Sequence, residues 1–258
     1  MDKTKKITCV IQARTDSKRL ANKVLKEIED TPMICHIINR IKRSRNVEQI
    51  ILATTDNDSD KILLDIAEKF KIIGFAGDED DVLGRFFNAA TSFLADPIVR
   101  ITGDCPLVDP ELLDNMIQIF LENRYDYISN TIERTFPDGL DIEIFSFDAL
   151  KKAHEEAKWS SEREHVTPFI IKNQDLFKVY NYKNKQDLSN LRWCVDEEDD
   201  LLMVKQIFHE MGTKQFFSTD DIIELVSKNP RIAETNRKIK TNEGYKKSLK
   251  NDKLIKQE

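Results

Sequence analysis

Four apolar runs of strand length punctuate the first hundred residues, and helix-patterned stretches separate them. The runs cover residues 7–11 (ITCVI), 49–54 (QIILAT), 72–75 (IIGF) and 97–101 (PIVRI). After the first, Thr31-Pro32 reads as the N-cap and first residue of a helix carrying Met33, Ile34, Ile37, Ile38 and Ile41. Residues 59–70 and 80–94 show the same spacing, and Asp109-Pro110 opens a helix with Leu112, Leu113, Met116, Ile117 and Phe120 inward. Short strands alternating with helices predict a mostly parallel sheet with crossover helices. In an open sheet of that kind ligands sit outside the carboxyl ends of the strands. Function is therefore to be sought in the residues just past each run.

From Tyr125 the rhythm changes. Residues 126–129 and the alternating 140–145 (LDIEIF) predict two strands around a Pro137-Asp138-Gly139 turn. Helices over 147–158 and 163–172 and a strand near 177–180 follow, so 125–185 is expected to be an inserted subdomain or lid. Residues 191–195 (LRWCV) predict a return to a core strand that stops at Asp196, before helices over 199–210 and 219–227. From Asn229 the chain is Lys-rich with few apolar residues, which suits either a peripheral helix or a loose tail. The expected organisation is one domain over 1–228 and a tail over 229–258.

Composition excludes several classes. Of 258 residues 40% are hydrophobic and 33% charged, as in a soluble globular protein long enough for a substantial core. The formal charge of −6 argues against a nucleic-acid footprint. Four scattered cysteines, without a C-x-x-C pair, suit reduced thiols in a cytoplasmic protein. No apolar run approaches membrane-spanning length, and the first is too short for a signal peptide. There is no G-x-x-x-x-G-K-[ST], no G-x-G-x-x-G after a strand and no G-x-S-x-G, and the histidines form no zinc pattern with the cysteines.

The polar residues past the strands are the candidates. The loop after the first run carries Arg14, Lys18, Arg19 and Lys23, and exposed backbone N–H groups with fixed positive charge cradle a triphosphate. Plain solvated surface is the competing reading. Asp56, Asp104 and Asp196 lie just past strands. Asp104 and Asp196 are the natural pair for the Mg²⁺ that accompanies a nucleotide, although Asp in such places also serves as helix cap or turn residue. Asp141 and Glu143 share one face of an alternating strand, suited to sugar hydroxyls or to a solvated edge. His165, after Glu164, reads either as a general base or as a structural hydrogen-bond partner.

The run I-Q-A-R-T-D-S-K-R-L-A-N-K-V-L closely resembles the sugar cytidylyltransferase signature I-x-A-R-x-x-S-x-R-L-P-G-K-x-L. A-T-T-D (53–56), R-I-T-G-D-C-P-L-V-D-P (100–110), G-L-D-I-E-I-F-S (139–146), E-H-V-T-P-F-I (164–170), W-C-V-D (193–196) and N-E-G-Y-K-K-S-L (242–249) resemble the branch of spore-coat polysaccharide biosynthesis proteins. The resemblance is collinear over essentially the whole chain. It implies a nucleotide-diphospho-sugar transferase-like three-layer α/β sandwich, with a mixed, mostly parallel sheet and an inserted dimerisation or lid subdomain. It also implies transfer of CMP from CTP to a sugar acid or sugar phosphate, with release of pyrophosphate, for surface polysaccharide.

On the same resemblance Arg14, Lys23 and Asp104 carry the catalysis, and Asp104 and Asp196 hold Mg²⁺. Gln12, Ala13, Arg14, Ser17, Arg19, Lys23, Thr54, Asp56 and Gly103 surround the nucleotide. Asp141, Glu143, Glu164 and His165 face the acceptor, and Arg134, Arg163 and Lys158 are candidate cations for an acceptor carboxylate. A homodimer through the middle section is implied, with no nucleic-acid or membrane partner. The competing readings are a glycosyltransferase, a nucleotidyltransferase using GTP or UTP, and a non-catalytic nucleotide-binding subunit. The chain departs from the signature at Asp16, for glycine, and at Ala21-Asn22, for Pro-Gly. Asp and Asn are the residues that best tolerate the left-handed backbone glycine permits, so the loop is expected to keep its shape.

Overall fold

The computed structural model describes residues 5–255, apart from Thr213, Gln215 and Asn242. The ends of the expected domain and tail (1–4 and 256–258), and Asn242 of the N-E-G-Y stretch, lie outside the described residues. The first apolar run becomes β1 (Lys6–Gln12), an interior strand of a seven-stranded sheet. Glu27–Ile28 and Thr31–Pro32 then form a small antiparallel ribbon, β2 and β3, ahead of α1 (Met33–Ile41). β4 (Gln49–Thr55) pairs parallel with β1 on one side, and after α2 (Lys61–Lys69) β5 (Ile73–Gly77) pairs parallel with β4. α3 (Val82–Phe93) carries the chain back to β6 (Ala95–Thr102), which pairs parallel with β1 on its other side.

After α4 (Pro110–Asn123) the sheet continues in the opposite sense. β7 (Tyr127–Ser129) and β8 (Glu143–Phe145) pair antiparallel, and β8 runs antiparallel to β6. Three short helices follow, α5 (Phe147–Glu156), α6 (Ser160–His165) and α7 (Pro168–Lys172), and then β9 (Val179–Asn181) on the outer edge of β7. The 125–185 section is thus built into the same sheet, in the order β5-β4-β1-β6-β8-β7-β9. α8 (Glu198–Met211), α9 (Thr219–Lys228), α10 (Arg231–Glu234) and α11 (Glu243–Lys250) complete the chain.

The alternation along β1 sets the layers. Cys9 and Ile11 face one apolar cluster with Ile34 and Ile38 of α1, Leu113 and Ile117 of α4, and Val204 and Ile207 of α8. Val10 faces the other, with Leu83 and Phe86 of α3, Leu150 of α5 and Ile170 of α7. Each fully buried aliphatic side chain contributes roughly 1.5–3 kcal/mol, so these two helix–sheet interfaces dominate the stability of the fold. Among the described residues no helix is long and apolar enough to cross a membrane.

Four expectations need correction. Thr31-Pro32 is a strand of the small ribbon, whose turn residues Glu29 and Asp30 both have positive φ, and the helix begins only at Met33. The strand expected over 140–145 is cut to Glu143–Phe145, because Asp141 turns back to Arg134 and to the Gly139 N–H. Residues 191–195 form no regular strand. Their amides are spent elsewhere: Cys194 N donates to Asp138 O at 2.9 Å and Val195 N to Asp104 O at 2.8 Å, while Trp193 and Val195 fill the core. The helix expected over 163–172 is two helices broken at Val166, whose φ of 71° no α-helix accommodates, and Pro168, which has no N–H to donate, opens the second at its first residue. The C-terminal stretch, for which two states were open, folds back onto α6: Asp252 accepts from Ser160 Oγ at 3.0 Å and from Ser161 Oγ at 2.8 Å.

Gly139 is the point on which this last part of the fold turns. Its φ is +112°, and a Cβ there would lie 2.3 Å from Cys194 N and 2.5 Å from the Trp193 carbonyl carbon. Backbone cannot yield as a side-chain tip does. Gly139→Ala should cost about 3 kcal/mol or more in urea denaturation, and an unchanged midpoint would show that the 138–141 turn relaxes freely.

Candidate functional site

The sheet reverses its direction of growth at β1. The chain moves outward through β4 and β5 and returns to β6 on the other flank, so a crevice opens at the carboxyl ends of β1 and β6. Gly103 N donates to Gln12 O at 2.8 Å, and Ala13 N donates to Ala53 O at 3.1 Å. A Cβ on Gly103 would come within 2.9 Å of Ala13 Cβ, so glycine lets the two strand ends approach. The basic loop then runs out to Asn22, which is left-handed (φ 53°, ψ 32°) and leads into a short 3-10 turn at Lys23–Leu25. Asparagine thus adopts the left-handed backbone that glycine at this place of the signature would permit.

Asp60 ties this loop down. It accepts from Thr15 N at 2.8 Å and Thr15 Oγ1 at 2.5 Å, and from Thr54 Oγ1 at 2.9 Å and Thr55 Oγ1 at 2.6 Å. Burial raises the cost of its charge, but these donors outweigh burial and hold its pKa below the ordinary carboxylate value. Asp56, the acid singled out past β4 in the sequence, is exposed, and its backbone N–H pairs with Gly77 O. A buried Asp six residues past Thr54 carried no distinguishing pattern.

Two cations of the loop, Lys23 and Arg19, converge on two carboxylates. Lys23 Nζ lies 2.8 Å from Asp104 Oδ2 and 2.9 Å from Asp196 Oδ1, and Arg19 Nη2 lies 2.7 Å from the same Asp196 oxygen. Burial disfavours the Lys23 ammonium, yet the two carboxylates raise its pKa above the ordinary lysine value. Burial likewise disfavours the Asp104 carboxylate, while Lys23, Thr102 and Cys105 hold it well below the usual range. Arg14 stands on the rim, 3.0 Å from Glu79 Oε1, and Glu79 also accepts from Asn57 Nδ2 at 2.7 Å. Ser17 Oγ accepts weakly from Leu20 N at 3.5 Å within the loop.

A buried arginine that sequence reading missed supports Asp196 from behind. Arg192 donates to Asp196 Oδ2 at 3.0 Å, to Asp138 Oδ2 at 2.8 Å, and to both oxygens of Asp200 at 2.9 and 3.0 Å. Asp200 also caps α8, accepting from the amides of Asp196 and Glu197. Glu197-x-x-Asp200 is a capping box in the structure, and an acid three residues past the start of a helix pattern was the available signal.

The acceptor-side candidates form a second group. Asp141 is engaged by Arg134, and Glu143 lies buried with both oxygens used, accepting from Tyr127 and Thr167 at 2.6 Å each and from Arg100. His165 Nε2 is 3.0 Å from Ser248 Oγ, which donates to Glu164 Oε2 at 2.7 Å, so α11 covers both residues. Burial lowers the His165 pKa despite Glu164 nearby, which leaves the imidazole neutral at pH 7. Of the cations considered for an acceptor carboxylate, Arg134 is paired with Asp141 and Arg163 with Asp81, whereas Lys158 is exposed.

Among the described residues no group of three or more His, Cys, Asp or Glu is placed to hold a metal ion alone. Asp104 and Asp196 nonetheless share one ammonium at hydrogen-bond distance, which marks a position where both reach a single cation. Mg²⁺ characteristically takes one or two carboxylates, with phosphate oxygens and water completing its octahedron. The pair fits a Mg²⁺ that arrives on a nucleotide.

The Asp60 anchor has a pH signature. Its folded pKa lies below the unfolded value of about 3.9, so its stabilisation is complete above that pH and is lost as pH falls through the folded pKa. Asp60→Asn should destabilise the protein by about 1–3 kcal/mol at pH 7 and flatten the acid limb of its stability profile. An acid limb identical to that of the parent would remove Asp60 from this role.

Comparison with known proteins places this geometry. The family described as Cytidylyltransferase matches residues 8–239. The spore coat polysaccharide biosynthesis protein SpsF of Bacillus subtilis is 30% identical, over 88% of this chain and 96% of its own length. The 3-deoxy-manno-octulosonate cytidylyltransferase of Chloroherpeton thalassium is 38% identical over 120 residues, 46% of this chain and 47% of that protein. The solved structure of a cytidylyltransferase from Leptospira borgpetersenii superposes with a TM-score of 0.87 at 35% identity, covering 92% of this chain and all of the other (100%). The match over nearly the full chain, with Lys23, Asp104 and Asp196 converging at the crevice, makes this protein a member of the cytidylyltransferase family.

Proposed function

We propose that the protein transfers CMP from CTP to a sugar acceptor, a sugar acid or a sugar phosphate, for surface polysaccharide. The observation that carries this reading is the meeting of Arg19 and Lys23 with Asp104 and Asp196 where β1 and β6 end. A triphosphate needs fixed positive charge, and the attack of an acceptor oxygen on the α-phosphorus needs that charge placed before the reaction begins. The new P–O bond forms from the acceptor, the bond from the α-phosphorus to the bridging oxygen breaks, and pyrophosphate leaves with the negative charge.

Lys23, Arg19 and Arg14 take the phosphate oxygens in place of their present carboxylate partners. Asp104 and Asp196 would hold Mg²⁺, which when bound supplies electrophilic stabilisation of the phosphate oxygens. Gln12, Ala13 and Gly103 form the floor beneath the nucleotide, with Thr54 and Asp56 at the neighbouring strand end. Asp141, Glu164 and the neutral His165 flank the acceptor, and the protein works as a homodimer through its 125–185 section, which light scattering in solution tests.

Melting temperatures with CTP, UTP, GTP and ATP, each with and without Mg²⁺, test the donor without knowledge of the acceptor. A ligand at a hundred times its Kd adds about 2.7 kcal/mol, and the expected pattern is a shift with CTP that grows with Mg²⁺. Pyrophosphate release from CTP is then assayed with a panel of sugar acids and sugar phosphates. Asp104→Asn and Asp196→Asn should each lower turnover by about a hundredfold or more with the fold retained. Near-parental turnover in Asp104→Asn would sink the metal assignment, and a shift confined to another nucleotide would change the base.

A further inference from the structure

Gln12 closes β1 with an amide that the protein has already oriented. Its side-chain oxygen accepts from Arg100 Nε at 3.3 Å and from Arg100 Nη2 at 3.1 Å. A guanidinium only donates, so the oxygen must be the atom that faces it, and the amide NH₂ is turned the other way. That nitrogen has no hydrogen-bond partner among the described residues and is not a buried orphan, and Gln12 is the last residue of β1, where the crevice opens.

Arg100 is itself held from behind. It pairs with Glu143 across β6 and β8, and its register with Val10 places it on the same face of the sheet as Gln12, two residues further along β1. Glu143, 6% exposed, is fixed in turn by the hydroxyls of Tyr127 and Thr167. On this face the neighbours Val10, Ile98 and Phe145 are apolar. A buried ion pair in such surroundings is commonly no more stable than an apolar pair of equal volume, so stability alone gives no reason for Arg100 and Glu143. What the pair does that an apolar pair would not is fix which end of the Gln12 amide faces outward.

We propose that Glu143 and Arg100 are positioning residues that lock Gln12 with its N–H donors aimed at an oxygen of the bound nucleotide. Glu143, buried and with both oxygens engaged, then acts on the ligand through Arg100 and Gln12. The inference rests on the nucleotide site proposed above.

The test is a double-mutant cycle read by calorimetric titration, using the Mg²⁺ complex of whichever of the four nucleotides shifts the parent's melting temperature most. A hydrogen bond to a charged oxygen sets the expected loss in Gln12→Leu at about tenfold to a hundredfold in Kd. Glu143→Gln keeps its hydroxyl partners but releases Arg100, and should weaken binding by a similar factor. The double variant should bind within about twofold of Gln12→Leu, because the relay is already cut. If Glu143→Gln does not fold, Arg100→Lys takes its place, since an ammonium cannot fork onto the amide oxygen. Multiplying losses in the double variant, or parental affinity in Gln12→Leu, overturns the relay while the nucleotide site stands. A parent that takes up none of the four nucleotides refutes the site itself before any variant is made.

Discussion

Three segments far apart in the chain meet on one ammonium group. Lys23 Nζ bonds Asp104, 81 residues on, and Asp196, 173 residues on. The ammonium compensates two carboxylates that share it in a partly buried crevice, and Asp196 is further matched by Arg19 and Arg192. The lysine in turn is held ionised by both acids against the pull of burial. The basic loop, the end of β6 and the segment leading into α8 are therefore interdependent. That interdependence gives the crevice its shape.

The same logic extends outward through the site. Arg19 shares Asp196, Arg14 is matched by Glu79, and Arg192 is surrounded by Asp138, Asp196 and Asp200. Each of these cations has an internal carboxylate partner. Under the proposed function, a nucleotide binding with a divalent cation would exchange one set of pairs for another: phosphate oxygens would replace carboxylates on the cations, and the metal would replace ammonium on the carboxylates. Such an exchange would leave few charges unpaired at any stage and would let a strongly charged ligand enter a low-dielectric cleft at modest free-energy cost. It would also link the two ligands, since each would relieve a pairing that the other disrupts.

Legibility in the sequence followed the range of the interactions. The parallel strands and their helices were readable because apolar periodicity is local, and the basic loop and Asp104 stood out because each adjoins an apolar run. Asn22 was readable as a left-handed residue because few side chains tolerate that conformation, and its φ of 53° bears this out. The region 191–195 misled because it is as apolar as a strand, yet β1 already has β4 and β6 as neighbours and its amides pair with Asp138 and Asp104. Asp56 drew attention and Asp60 did not, since both are acids past β4 and only the return of Thr15 distinguishes them.

By itself, then, the sequence determined the α/β layering, the cationic loop and its family signature, all of which depend on neighbours within a few residues. Only the tertiary structure decided that Lys23 bridges two distant aspartates, that Arg192 braces one of them, and that Glu143 faces inward to Arg100 rather than outward to a ligand. The physical reason is that a charge takes its role from the partner that compensates it. In this chain those partners come from strands and loops whose proximity exists only once the sheet has formed.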